Sequence, residues 1–492
     1  MEMWLEGLST VFQGNNLIML LVGTVYGIIV GALPGIGPMF ACSLVLPLTF
    51  GMRVESAIIL LSAVYASSTF GGSFASILIN TPGGVGSVAT CWDGYPLAKK
   101  GRAGFAIGVV STASLLGGVL GWLCLVFLAP VFTSIALNMR SAEYFMLGVF
   151  ALCLVSMAAE GQTIKGLILG SLGLLVSMIG RDPMTAAVRQ TYGIMYLEDG
   201  IPLAAIALGM FAISEAIDLS ANMYKQPEVI NAEDSVKTGV MFGFTKPLIT
   251  IRSGLLGVFM GIVPALGIQA ASISAYFIEK KYSKEPETFG KGNPVGLLAP
   301  EAANNACVVS SLIPAFTLGI PGSPVAALFI AALIIHGVQP GVQFFSRGAF
   351  THTIFMGILF SQFAFFVIGL LSAKLFAKIV RIPVSLLIPT ITILSAAGAY
   401  AIRNTVLDIF FAIIFGFFGY ILKKYNWPVA CFVFGNVLGV ILESNFHRVL
   451  FASGGSYAPF YTRPGSLGIL IATILFMGWP LIKKVFLKIR KT

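Results

Sequence analysis

The sequence predicts an all-α, polytopic integral membrane protein with about 11–14 spans, some of them broken or re-entrant, in two internally repeated halves. Of its 492 residues, 57% are hydrophobic, against about 45–50% in soluble domains. Only 10% are charged, where about 25% is usual. Two motifs also recur in the same order along the chain. These observations exclude a soluble enzyme, a disordered chain and a nucleic-acid-binding module.

Apolar runs alternate with short polar loops along the whole chain, and several runs are interrupted by Gly and Pro. A helix of about 20 apolar residues crosses a bilayer, so these runs are predicted to be spans or parts of spans. They lie at residues 17–50, 56–80, 104–138, 143–159, 164–180, 201–217, 254–278, 296–318, 322–338, 350–377, 384–402, 405–422, 428–442 and 466–486.

The basic residues are clustered in the loops, which predicts the orientation of the chain. The net charge is +10, and the clusters lie at 99–102, 280–281, 423–424 and 483–491. Cytoplasmic loops of membrane proteins carry an excess of Lys and Arg. We therefore expect a cytoplasmic C-terminus.

Two motif pairs indicate an internal duplication. The pattern G-x-x-x-G-x-[LV]-P-[GA]-[IL]-G occurs at 27–37 and again at 257–267, an offset of 230 residues. The segment 79–84, Ile-Asn-Thr-Pro-Gly-Gly, matches 318–323, Leu-Gly-Ile-Pro-Gly-Ser, at an offset of 239. We predict a first repeat half at 1–219, a polar central linker at 220–250 and a second repeat half at 251–492. Whether the halves are inverted or parallel depends on the number of spans in each, which the runs do not fix.

Gly- and Pro-interrupted segments at matching positions of two halves point to a transporter binding site. Irregular backbone is tolerated within a bilayer only where it is buried in protein or lines a wet cavity. The alternative is a glycine-lined kink that allows close helix packing. The stretch 81–87 is not a nucleotide-binding P-loop, because it lacks the G-K-[ST] ending. Helix breaks are predicted at Pro34, Pro264 and Gly267, and the substrate-binding candidates are Gly35, Gly37, Asn80, Thr81, Pro82, Gly83, Gly84, Gly319, Pro321, Gly322 and Ser323.

Glu301, Asn304 and Asn305 are candidates for a coupling-ion site, which could hold Na⁺. Residues three and four apart share a face of a helix, so Glu301 is expected to lie on the same face as both Asn residues. An ionisable residue within an apolar segment is a functional candidate. The alternative is a Glu in the first turn of a helix that starts at Pro300, where the helix dipole favours it. No metal other than Na⁺ is expected.

No pattern typical of an enzyme was found, and no cofactor is expected. The three His residues show no metal spacing, and the six Cys residues include no C-x-x-C pair. We interpret Asp93 as a turn residue ahead of the basic cluster at 99–102. Asp408 and Glu443 are expected near span ends.

The motifs resemble the large membrane subunit of the tripartite tricarboxylate transporters, the TctA family. The resemblance is carried by G-A-L-P-G-I-G-P at 31–38, Y-A-S-S-T-F-G-G-S-F-A-S-I-L-I-N-T-P-G at 65–83, D-G-Y-P-L-A-K-K-G at 93–101, A-P-E-A-A-N-N-A at 299–306 and G-I-P-G-S-P at 319–324. It extends over nearly the whole chain.

The resemblance implies a bacterial inner-membrane secondary transporter for citrate-like tricarboxylates or related carboxylates. It implies two protein partners, a small four-span membrane subunit and a periplasmic solute-binding protein, and uptake by cation symport with Na⁺ or H⁺. The apolar spans contain no pair of Arg or Lys residues to neutralise a tricarboxylate. A buried charge is costly, so helix termini, backbone N–H groups and co-transported cations would have to neutralise it. A passive carboxylate channel and a scaffold subunit are the alternative classes. Alternating access could occur by an elevator or a rocking movement.

Overall fold

The computed structural model describes residues 2–157, 162–221, 229–230, 232, 234–264, 266–373, 375 and 384–489. These residues are almost entirely helical, with one two-stranded antiparallel hairpin. Seven helices among them are long and apolar enough to cross a membrane, and several shorter apolar helices accompany them. The prediction of a polytopic, all-α membrane protein is therefore confirmed.

The chain forms two compact units, one made of Met1–Thr133 and Ala207–Tyr420 and the other of Ser134–Ile206 and Ile421–Thr492. Each unit contains segments from both predicted halves. Part of the predicted linker, 220–250, lies outside the described residues, and its described part contains a helix at Val236–Phe244.

The first unit contains most of the helices. They are α1 (Glu2–Val11), α2 (Gly14–Gly31), α3 (Pro38–Val45), α4 (Val54–Ile79), α5 (Val88–Lys99), α6 (Ala103–Asn138, in part), α9 (Leu203–Ala207, in part), α10 (Ser214–Ala221), α11 (Val236–Phe244), α12 (Pro247–Ile262), α13 (Gly267–Tyr282), α14 (Val295–Ser310), α15 (Leu312–Leu318), α16 (Pro324–Ile335), α17 (Val342–Phe345), α18 (Ala349–Leu371), α19 (Val384–Arg403) and α20 (Val406–Lys424, in part). A π-helical segment, Leu208–Ile213, joins α9 to α10.

Helix α4 forms the centre of the first unit. All but its first two residues are buried, and it packs against α2, α5, α14, α16 and α18. Its hydroxyl side chains bond within the helix, as Ser62 Oγ does to Ile58 O (2.7 Å) and Thr69 Oγ1 to Tyr65 O (2.9 Å). This bonding satisfies the polar groups of a helix that is buried over nearly its whole length.

Helix pairs α2–α4 and α12–α14 pack through glycines at matching positions of the two halves. A Cβ on Gly31 would collide with Ser68 O, and one on Gly261 would lie 2.6 Å from Cys307 O. Ser68 and Cys307 are 239 residues apart, and the glycines are 230 apart. Small residues allow helices in membranes to approach this closely.

The second unit contains α7 (Ser141–Met157), α8 (Thr163–Ser177), the strands β1 (Gly180–Arg181) and β2 (Val188–Arg189), α21 (Val429–Ala452), α22 (Pro459–Thr462) and α23 (Pro464–Ile489). Helix α21 packs against α7 and α8, and α23 packs against α7. The sequence placed Glu443 near a span end, but it lies inside α21, where Arg189 pairs with it. Arg189 also pairs with Asp182 at 3.0 Å.

Candidate functional site

Two helix breaks lie in the first unit, one in each predicted half. The first separates α2 from α3 and contains Pro34 and Gly35, whose φ of +76° favours glycine. Gly35 N–H donates to Pro82 O (3.2 Å), which joins this break to the segment after α4. Gly37 precedes α3 as its N-cap. The second break separates α12 from α13 and contains Pro264, and Gly267, with φ +70°, is the first residue of α13.

The segment Asn80–Ser87, which we name the first loop, connects α4 to α5. Helix α4 ends at Asn80 in the left-handed conformation (φ +54°), a common helix ending that Pro often follows. Gly83 N–H donates to Gly72 O (3.2 Å). Asn80 is exposed, while Thr81, Pro82 and Gly84 are half-buried. The first loop is therefore partly open to its surroundings.

The segment Gly319–Ser323, which we name the second loop, connects α15 to α16. Gly319 adopts φ +71° at the end of α15, as Asn80 does at the end of α4. Ser323 Oγ accepts a bond from Ala326 N–H (3.1 Å) and so caps α16. Residues 319–323, including Pro321, are all buried. The second loop is therefore closed on every side.

Gly83 and Gly322 occupy matching positions in the two loops and are in equally close contact with backbone. A Cβ on Gly83 would collide with Gly31 O and lie 2.5 Å from Gly72 Cα. A Cβ on Gly322 would lie 2.6 Å from Ser311 O and 2.7 Å from Gly261 O. No side chain fits at either position without a shift of the backbone.

Glu301 is fully buried inside α14 and is surrounded by hydroxyl groups. Its Oε1 accepts bonds from Ser73 Oγ (2.6 Å) and Thr90 Oγ1, and its Oε2 accepts one from Ser114 Oγ (3.1 Å). In the described part of the chain no basic side chain forms an ion pair with it. These donors come from α4, α5 and α6, so three helices meet at one carboxylate.

The structure places Glu301 well inside its helix. Helix α14 begins at Val295, and Pro300 lies within it. The alternative interpretation, in which Glu301 is in the first turn of a helix that starts at Pro300, is therefore wrong. The helix dipole acts mainly within the first turn, so it does not account for a carboxylate at this position.

Asn304 and Asn305 are fully buried, and among the described residues neither amide has a hydrogen-bond partner. The amide of Asn304 faces the first loop, because a Cβ on Gly86 would lie 2.5 Å from its Oδ1 and 3.0 Å from its Nδ2. A buried polar group left unpaired costs about 1–3 kcal/mol. Four such atoms on adjacent residues make this part of α14 a candidate ligand site.

The structure thus brings together the first loop and Asn304, and it places Glu301 in a neighbouring hydroxyl cluster on the same helix. The sequence analysis missed Ser73, Thr90 and Ser114, which hold Glu301. It also missed Tyr65, whose hydroxyl reaches the second loop. Tyr65 and Ser73 both lie in the 65–83 motif, and this motif is the sequence feature by which these two side chains could have been selected as candidates.

Asp93 is not a turn residue, as the sequence suggested, but a buried residue inside α5. Its Oδ1 accepts bonds from the backbone N–H groups of Gly290 (2.9 Å), Gly292 (2.7 Å) and Asn293 (2.7 Å). Its Oδ2 accepts a bond from the Tyr276 hydroxyl (2.9 Å). Asp93 therefore fixes the loop that leads into α14, the helix that carries Glu301 and Asn304.

Comparison with known proteins identifies the family. The profile of the tripartite tricarboxylate transporter TctA family matches residues 17–434. The chain belongs to the TctA family. An Agrobacterium vitis protein, described as an uncharacterized 52.8 kDa protein in the TAR-I ttuC' 3' region, is 35% identical over 472 residues, which cover 94% of this chain and 93% of that protein.

A second Agrobacterium vitis protein, described as an uncharacterized protein in the TAR-II ttuC' 3' region, is also similar to this TctA-family chain. It is 35% identical over 218 residues, which cover 44% of this chain and 89% of that protein. No solved structure matches the chain. The resemblance that the sequence motifs indicated is therefore confirmed at the level of the family.

Proposed function

We propose that this TctA-family chain is the large transmembrane subunit of a secondary carboxylate transporter, and that a carboxylate group of the substrate binds at the first loop against Asn304. The observation that carries the proposal is the set of four amide atoms on Asn304 and Asn305 that have no hydrogen-bond partner among the described residues. The missing side chain of Gly86 allows the Asn304 amide to lie directly against the first loop.

The first loop has the chemistry of an anion site. It leads into the N-terminal end of α5, where backbone N–H groups and the helix dipole favour negative charge. The Asn304 amide can donate two further hydrogen bonds. Gly37 lies against Gly84, since a Cβ on Gly37 would lie 3.5 Å from Gly84 Cα. The first helix break therefore lines the same loop.

We further propose that Glu301 takes part in binding the coupling cation, either Na⁺ or a proton. An anion that crosses the membrane is costly unless its charge is balanced, and Glu301 is a buried carboxylate on the helix that carries Asn304. Carboxylate, hydroxyl and amide oxygens are the ligand types that hard cations prefer. Ser73, Thr90 and Ser114 supply the hydroxyls. Asn304 and Asn305 supply amide oxygens.

The family description supports a multi-subunit assembly. We propose that the partners are a small four-span membrane subunit and a periplasmic solute-binding protein, with the chain in a bacterial inner membrane and its C-terminus in the cytoplasm. The matching contacts of Gly83 and Gly322, at an offset of 239, support an origin by duplication. Transport without chemical conversion of the substrate is the proposed activity.

Uptake of radiolabelled citrate into proteoliposomes that contain the chain and its small partner tests the proposal. The assay is run with and without the binding protein, under an inward Na⁺ gradient and then under a proton gradient alone. We expect uptake to require the binding protein and one of the two gradients. Flux that needs neither would instead identify a passive channel. If citrate is not taken up, other di- and tricarboxylates are tested in the same format.

Glu301→Gln tests the coupling role in the same vesicles. Gln keeps the size and the oxygen acceptor but removes the negative charge. We expect gradient-driven uptake to fall by about tenfold or more, equivalent to about 1.4 kcal/mol. Glu279→Gln is the matched control, because Glu279 is also buried but pairs with Arg252. Equal uptake by the two variants would remove Glu301 from the mechanism.

A further inference from the structure

Tyr65 and Asn304 occupy corresponding positions in the two halves, and each contacts the loop of the opposite half. They are separated by 239 residues, the same offset that relates the two loops. Asn304 lies on α14 and faces Gly86 of the first loop. Tyr65 lies on α4, and its hydroxyl is within 3.2 Å of Ser323 Oγ in the second loop.

The two contacts differ in how far their polar groups are satisfied. The Tyr65 hydroxyl also lies 3.4 Å from Ser311 Oγ, and Ser311 Oγ lies 3.1 Å from Ser323 Oγ. The phenol ring lies beside Phe329, with ring centroids 6.1 Å apart. The polar groups of this cluster are therefore bonded to one another. The amide of Asn304 has no hydrogen-bond partner in the part of the chain that the structure describes.

The two loops also differ in exposure. Val85 in the first loop is 55% exposed, whereas residues 319–323 of the second loop are all buried. In the second loop the Tyr65 hydroxyl lies within hydrogen-bond distance of Ser323 and of the neighbouring Ser311. At the corresponding position beside the first loop, the Asn304 amide lies against Gly86 and has no such partner among the described residues.

We propose that the two loops have different roles, with the carboxylate bound only at the first loop and the second loop held closed by the Tyr65 hydroxyl. The assignment of the carboxylate rests on the proposed function, whereas the closure by Tyr65 does not. Tyr65 is a positioning residue, since it acts on Ser311 and Ser323 and not on the ligand. Its hydroxyl lowers the frequency with which the second loop opens.

Thiol labelling of a cysteine beside the second loop tests this closure without any substrate. Leu318→Cys is placed in the chain with and without Tyr65→Phe, and the labelling rate is measured as the increment over the chain that lacks the added cysteine. We expect Tyr65→Phe to raise the rate about threefold or more, the effect of one hydrogen bond of ordinary net strength.

Two controls separate this effect from general loosening. Ile79→Cys reports on the corresponding position beside the first loop, and its labelling rate should not change with Tyr65→Phe. Tyr26→Phe removes a phenol oxygen that bonds to Ala41 O in the same unit and should change neither rate. An unchanged rate at Leu318→Cys, or an equal rise at both cysteines, would overturn the proposal.

Transport kinetics provide the second test. We expect Tyr65→Phe to keep the KM for the carboxylate within about twofold of the unmodified chain, and Asn304→Ala to raise it about tenfold or more, because only Asn304 contacts the ligand. A comparable rise in KM for Tyr65→Phe would place its hydroxyl on the ligand and overturn the proposed asymmetry. If the chain transports no carboxylate, the labelling result still decides whether Tyr65 closes the second loop.

Discussion

Alanine at Gly83 or Gly322 should strongly reduce carboxylate uptake. At Gly83 the new Cβ would collide with Gly31 O and lie 2.5 Å from Gly72 Cα. At Gly322 it would lie 2.6 Å from Ser311 O. Carbon and oxygen atoms normally stay more than 3 Å apart, as in ordinary non-bonded contacts of about 3.5–4.0 Å. The backbone of each loop must therefore move.

The size of the effect follows from the cost of overpacking. Inserting a methyl group into a closely packed region costs about 1–3 kcal/mol, which corresponds to a roughly 5- to 150-fold change in the population of the native loop. Because the strain is local to each loop, we expect membrane insertion and helix packing to be retained. Uptake should fall within this range for both variants.

Initial rates of uptake in proteoliposomes, normalised to the amount of monodisperse protein, measure the effect. Gly468→Ala is the matched control, because Gly468 lies in helix α23 and a Cβ there would meet nothing within 4 Å. Gly83→Ala and Gly322→Ala should both transport far more slowly than this control. Rates equal to the control for both variants would refute a role of the two loops in transport.

Three further predictions concern stability, each measured by thermal unfolding of the purified protein. Asp93→Ala should destabilise the chain by about 2 kcal/mol, because three backbone N–H groups lose their acceptor; an unchanged unfolding temperature would refute this role. The pKa of Asp182 is lowered, mainly by the backbone N–H of Thr185. The Asp182 carboxylate therefore stabilises the folded state above about pH 4, and this stabilisation is lost as the pH falls further. Asp182→Asn should weaken the loss of stability on acidification. An unfolding temperature with the same pH dependence in the variant and the unmodified chain would contradict this role of Asp182. Arg189→Ala should destabilise by about 3 kcal/mol, because it removes the guanidinium that pairs with both Asp182 and Glu443; a smaller effect than that of Arg53→Ala, an exposed pair, would contradict this.

The sequence predicted the class of fold and the places where its helices break. Apolar runs separated by polar loops are a direct consequence of bilayer thickness, so the helical, membrane-spanning architecture followed from composition and spacing. Pro34 and Pro264 lie between helices and Gly267 begins one, because Pro removes a backbone donor and Gly tolerates φ angles that other residues avoid.

The contacts around Glu301 could not be predicted from local pattern. Its hydroxyl donors are 187 to 228 residues away along the chain and lie on three different helices. Only the tertiary packing brings them together. For the same reason the role of Asp93 could not be predicted, because its carboxylate accepts hydrogen bonds from a loop about 200 residues later in the chain. The compact units likewise combine distant segments, which sequence repeats alone do not indicate.

Equilibrium binding of radiolabelled carboxylate to the purified chain tests the central claim most directly. Gly86→Ala places a Cβ 2.5 Å from Asn304 Oδ1 and so displaces the amide, Asn304→Ala removes the amide itself, and Gly468→Ala is the control. Citrate is used first, or the carboxylate that the uptake assay identifies. We expect both site variants to bind about tenfold or more weakly, a loss of about 1.4 kcal/mol, while the control binds like the unmodified chain. Unchanged affinity in both site variants would contradict a carboxylate site at the first loop.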